Sequence, residues 1–318
     1  MGSGLSAPPP GPVQRVQGGN RQKEVVDGHV HFWDPSARHH DWLTHVPALQ
    51  RRFTPGNLDA GRHQLTGVVF VQADCREFEA LDEVRWVAGL ATGHPVILGI
   101  VAYAPLHRGE EAERDLEVLA GEPLVVGVRR LLQGRPAEEI TDAGLIAGVR
   151  LLPEFDLTFD LCVTHDQLAA ATSLVRSSPE TTFVLDHVGK PDVASRKLDP
   201  WRADLIGLGS LPNIVCKLSG LTTEAGPGWT PGDLLPYLEH ALDVFGARRC
   251  MFASDWPVAN LETTHEAWVD IVLEAMWHLP SNDQAAVLGG TATRIYGLAA
   301  SDTATRERDD AGSTVRRQ

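Results

Sequence analysis

Eight short runs rich in β-branched and aliphatic residues recur along the chain, most of them followed by a longer stretch of helical character. They are Glu24–His31, Gly67–Gln72, Val96–Tyr103, Leu124–Arg129, Thr158–Val163, Thr182–His187, Asn213–Leu218 and Cys250–Asp255. Between them, apolar residues at 78, 81, 84, 87 and 90 keep helical spacing. Asp166–Val175 opens on an acidic residue behind Thr164, and Gly232–Phe245 follows a cap-like Thr230 with Pro231 in its first turn. Strand–helix alternation at this repeat predicts an α/β chain with a (β/α)8 barrel over residues 24–300 as one domain. A doubly wound open sheet is the alternative. Its nucleotide-binding versions lack their marker here, because no GxGxxG follows the first run and no P-loop occurs.

The flanks differ from this pattern. Residues 1–23 are rich in Gly, Pro and Ser without the apolar core of a signal peptide, and 301–318 are polar and aperiodic, so both read as disordered. The 318 residues carry a net charge of -14, a balance opposed to phosphate backbones and anionic membrane surfaces. No stretch nears the apolar length that spans a bilayer. Cys75, Cys162, Cys216 and Cys250 are widely separated with no CxxC, which fits reduced thiols in a cytoplasmic protein. Neither nucleic acid nor membrane is expected as a partner; a homo-oligomer is compatible with the sequence.

In a barrel, chemistry gathers at the C-terminal ends of the strands. The first run, Val25-Val26-Asp27-Gly28-His29-Val30-His31, places Val25, Asp27, His29 and His31 on one face at period 2. Two imidazoles so placed can share a metal ion or a substrate carbonyl, or serve only as one core and one surface histidine. The other run ends supply Gln72, Tyr103, Arg129, His187, Lys217 with Ser219, and Asp255 with Trp256; His165 lies just past the fifth. Asp255 could act as a base toward water or ligate a metal, or simply cap a helix. Arg129 could grip a carbonyl or carboxylate, or form a rim ion pair, with Arg130 pointing away. The long first connection carries His39, His40, Trp42 and Arg51. With Tyr103, Gln72 and Trp256 these are candidates to line a pocket for a polyhydroxylated ring.

Five segments occur in order: Asp27-Gly28-His29-Val30-His31-Phe32-Trp33-Asp34, Gly127-Val128-Arg129-Arg130-Leu131-Leu132-Gln133, Asp186-His187-Val188-Gly189-Lys190-Pro191, Cys216-Lys217-Leu218-Ser219-Gly220-Leu221 and Ser254-Asp255-Trp256-Pro257. As a set, over about residues 25–298, they resemble the amidohydrolase superfamily, in the amidohydrolase-2 branch that includes sugar-lactone hydrolases. The resemblance implies a (β/α)8 barrel that opens a lactone ring to its hydroxy acid. By position, His29 and His31 match the first-strand histidines, His187 the sixth-strand histidine and Asp255 the eighth-strand aspartate. The family uses such residues to hold one or two divalent ions, or to activate water. Arg129 stands where a binuclear member has a lysine, and His165 falls beyond the fifth-strand ligand position. The expectation is therefore one zinc held by His29, His31 and Asp255, or none.

Three activities fit. One is lactone hydrolysis, with water activated by Asp255 and the oxyanion met by His31, His187, Arg129 or a metal. Another is a metal-dependent decarboxylation, which requires His165 as a ligand. The last is a non-catalytic barrel that binds a sugar acid.

Overall fold

The computed structural model describes residues 22–299. The disorder expected for the two flanks falls outside the described residues, apart from positions 22 and 23 of the first flank. Eight parallel strands pair in sequence order. They are β1 (Glu24–Val30), β2 (Gln64–Val71), β3 (Ile97–Tyr103), β4 (Val125–Arg129), β5 (Thr158–Leu161), β6 (Phe183–Leu185), β7 (Ile214–Leu218) and β8 (Cys250–Phe252). The ring closes just past β8. His31 N donates to the Trp256 carbonyl at 2.7 Å, and Asp255 N to the His29 carbonyl at 2.9 Å. The expected (β/α)8 barrel is what forms. No helix among the described residues is long and apolar enough to cross a membrane.

Long helices follow β2 through β8: Ala80–Gly93, Glu113–Ala120, Ala143–Leu151, Leu168–Ser177, Trp201–Gly209, Pro231–Phe245 and His265–Ala275. Local signals set their ends. Thr230 and Asp233 exchange capping bonds ahead of Pro231, with Asp233 Oδ2 accepting from Thr230 N at 2.9 Å and Oγ1 at 2.8 Å. After β1 there is no α-helix, only short 3₁₀ turns. The aromatic side chains of this connection hold it instead. Trp33 exchanges backbone bonds with Phe53 and donates its indole N–H to the Arg51 carbonyl at 2.9 Å. Trp42 packs edge-on against it, 5.3 Å between centroids.

The barrel wall holds two apolar sets. The large one lies between strands and helices. The small one, with Val69, Val71, Val101, Val184, Val215 and Met251, lines the bore, and Ala292, Tyr296 and Leu298 of the C-terminal segment complete it. That segment seals the end where the strands begin: a Cβ on Gly289 would lie 3.3 Å from Val26 N.

The alternation expected for β1 fails at one point, and the failure is useful. The β1–β2 register breaks between Asp27 and Val30. Asp27 faces outward, its Oδ2 3.0 Å from His265 Nε2, while His29 turns into the bore. A bulge adds one residue to a strand and re-aims the next side chain. Gly28 permits it, since a Cβ there would sit 2.9 Å from Met251 Sδ and 3.2 Å from the Phe252 carbonyl.

Candidate active site

Four buried side chains meet at the C-terminal end of the bore. Asp255 Oδ1 is 3.3 Å from His31 Nε2 and 3.8 Å from His29 Nε2, and the two histidine Nε2 atoms are 3.1 Å apart. The His187 ring centroid is 4.7 Å from that of His29. Asp255 has φ 62, and His187, Val188 and Lys190 have φ 54, 55 and 45. A β-branched residue in this region costs about 1–2 kcal/mol. Surrounding bonds hold the turn there: Trp201 Nε1 donates to the Val188 carbonyl at 2.9 Å, and His165 Nδ1 to the Lys190 carbonyl at 3.2 Å. His165 is thus a brace for the turn that carries His187, and it belongs to neither side-chain group able to hold a metal among the described residues.

Beneath these groups lies a charged layer inside the bore. Lys217 Nζ pairs closely with Asp160 and lies 3.1 Å from Asp186 Oδ1. Arg129 donates Nη1 to Asp186 Oδ2 at 3.3 Å and Nη2 to the Gln72 carbonyl at 2.7 Å. Tyr296 Oη donates to Asp160 at 2.9 Å. Burial alone would push Asp186 up, but Lys217 and His29 hold its carboxyl well below the usual range. Burial likewise works against the Asp255 carboxylate, and His187, His31 and His29 outweigh it, so Asp255 is strongly held in its ionised form. Burial pulls His187 down to about 4, leaving it neutral at pH 7. Burial and Lys217 lower His29 as well.

The chemistry of these donors fits one divalent ion. His31 Nδ1–H donates to the Val71 carbonyl at 2.7 Å, which leaves its Nε2 lone pair toward the mouth. His29 Nδ1 lies 3.2 Å from Asp186 Oδ1; when it donates there, its Nε2 also presents a lone pair. Three acceptors then face one another with no proton between them, and they form one of the metal-competent groups among the described residues. The other, His29 with Asp186 and His187, already has the Lys217 ammonium beside it. His29, His31, His187 and Asp255 are therefore brought together as their strand ends suggested.

The remaining candidates are placed differently. Arg129 is 4 % exposed and lies under His29 rather than on the rim. Its Nε and the Gln72 Nε2 have no hydrogen-bond partner among the described residues. Gln72 otherwise accepts from Asp74 N at 2.6 Å. Trp256 is buried against Phe32 and Phe53. His39 is exposed and paired with Glu79 at 2.9 Å. His40 is buried 3.7 Å from Glu83, and Trp42 donates to the Ala73 carbonyl at 2.9 Å. Tyr103 lines a cavity of about 500 Å³ with Glu77, Phe78 and Arg108, and none of the four clustered residues lines it. Asp186, Asp160 and Tyr296 were not singled out from sequence as site residues. Asp186 was visible only as the residue before His187, and Tyr296 gives no local signal.

Comparison with known proteins identifies the family of the chain. The Amidohydro_2 family model, described as amidohydrolase, matches residues 26–298. A protein of Burkholderia ambifaria named L-fucono-1,5-lactonase is 32% identical over 85% of this chain and 94% of its own length. One of the same name from Burkholderia multivorans is 33% identical over 86% of this chain and 96% of its own. A crystal structure of a Burkholderia multivorans amidohydrolase with bound zinc superposes with a TM-score of 0.77 at 32% identity, covering 86% of this chain and 99% of that one. With the barrel, the histidine pair and the eighth-strand aspartate in place, the chain belongs to the Amidohydro_2 family of amidohydrolases.

Proposed function

We propose that the protein hydrolyses a sugar-type lactone to its hydroxy acid. The observation that carries this reading is the convergence of Asp255 on His31 and His29, at 3.3 and 3.8 Å, at the mouth of the bore. Asp255 takes a proton from water as that water attacks the ring carbonyl. A carboxylate held so far toward its ionised form is a weak base that keeps the proton only briefly. It passes it to the ring oxygen as the C–O bond breaks. His187 is neutral above about pH 4. With Ser219 donating to its Nδ1 across 2.9 Å, its Nε2–H is a donor for the oxyanion. The unpartnered Arg129 Nε and Gln72 Nε2 are further donors for substrate oxygens.

His29, His31 and Asp255 are the residues that would hold a divalent ion, and a bound ion supplies a Lewis acid for the carbonyl. The relatives named L-fucono-1,5-lactonase make a 1,5-aldonolactone the first substrate to test. Four free cysteines, three of them buried, support a reducing, cytoplasmic setting.

The test is a pH-indicator screen of aldonolactones, L-fucono-1,5-lactone included, against the Asp255→Asn variant and with or without chelator. Hydrolysis by the wild type alone supports the reading. Rates no faster than spontaneous opening across the panel, with or without added zinc, would refute it.

A further inference from the structure

One buried cation has no part in the chemistry above. Lys217 is fully buried, and its three N–H bonds meet three acceptors: Asp160, Asp186 Oδ1 at 3.1 Å and His29 Nδ1 at 3.2 Å. Asp186 Oδ1 reaches the same Nδ1 from 3.2 Å. A donor and an acceptor therefore compete for one imidazole nitrogen. We propose that Lys217 is a positioning residue that selects which nitrogen of His29 carries the proton, and so sets how tightly His29, His31 and Asp255 take a divalent cation.

Each outcome of that competition pairs Lys217, His29 and His31. Arg129 Nη1, 3.5 Å from His29 Nε2, is a second cationic donor that disfavours a proton there and that Lys217 must outweigh. When Lys217 donates to Nδ1, the His29 proton sits on Nε2, 3.1 Å from His31 Nε2. That atom is an acceptor, because the His31 proton is on Nδ1 and engaged by the Val71 carbonyl. Lys217, His29 and His31 then form one continuous donor chain, and no cation is needed to satisfy it. When a cation binds Nε2, the proton must be on Nδ1 and donated to Asp186. Lys217 then loses its third acceptor, and its charge faces the cation across the ring. His29 stays neutral in both states: one proton leaves Nε2 and one is gained at Nδ1. The ammonium thus opposes loading, and Asp186 favours it.

The inference concerns a proton position and a metal affinity, and it holds whichever lactone is hydrolysed. Nitrogen-15 NMR of histidine-labelled wild-type protein, stripped with a chelator, should show His29 protonated at Nε2. One equivalent of zinc should move that proton to Nδ1. An Nδ1–H signal in the stripped protein would overturn the proposal. Zinc affinity, measured by competition with a chelating dye, gives an independent readout. The double variant Lys217→Met with Asp160→Asn removes the ammonium together with the carboxylate it neutralises. It should bind zinc at least about tenfold more tightly, while Lys217→Arg stays near wild type. Equal or weaker binding by the folded double variant would also overturn it, and should that variant fail to fold, the wild-type spectrum decides alone.

Discussion

Ser219 Oγ lies 2.9 Å from His187 Nδ1, and the next residue, Gly220, lies under the same ring. At φ +70, a Cβ on Gly220 would come within 2.6 Å of the His187 Cγ. The turn after β7 thus shapes the seat of a histidine from β6. Gly220→Ala should cost about 1–2 kcal/mol through the left-handed backbone alone, and should lower kcat further by displacing the ring. Ser219→Ala, which removes only the bond, should lower kcat about tenfold with little change in Tm. Denaturant melts and steady-state kinetics on the two variants separate the effects.

Asp255→Asn keeps size and most packing while removing the base. A loss of about 10²- to 10⁴-fold in kcat is expected, with far-UV circular dichroism unchanged. Turnover near wild type would take Asp255 out of the chemistry.

Acid should destabilise the fold in a defined window. His187 titrates near 4 in the folded protein because burial disfavours its cation, against about 6.5 when unfolded. The unfolded chain therefore binds the extra proton between these values. Stability is lost as pH falls from about 6.5 to about 4, by roughly 3 kcal/mol for this group alone. Urea melts at pH 7, 5.5 and 4.5 should show the decline, and the His187→Gln variant should show less of it.

Asp27 ties the seam where β8 meets β1. Its Oδ1 accepts from His29 N at 3.1 Å and Ser254 N at 2.9 Å, and its Oδ2 is 3.0 Å from His265 Nε2. Asp27→Ala would leave two backbone N–H groups buried without acceptors, at about 1–3 kcal/mol each. A fall in Tm together with reduced kcat is expected, because the His29 backbone loses its anchor. Asp27→Asn, which keeps an acceptor, should retain more of both.

These residues also show what could be read in the letters alone. His29, His31, His187 and Asp255 stand at the ends of apolar runs, and a parallel barrel brings such ends to one place. The bulge that turns His29 inward could not be read, because strict alternation assigned it the face of Asp27. The partners that hold the long first connection were hidden for a related reason. Composition gave no sign that Trp42 and Trp33 would hold the first connection together, or that His39 would pair outward with Glu79. The bond from Tyr296 to Asp160 joins positions 136 apart in sequence, a pairing that no local pattern encodes.

That bond has a consequence of its own. From the sealed floor of the barrel, Tyr296 touches Asp160, which touches Lys217, which touches His29. Damage at the base of the molecule would thus register as altered proton placement at the opposite end. Variants that look harmless by their distance from the opening deserve to be assayed for turnover as well as for folding.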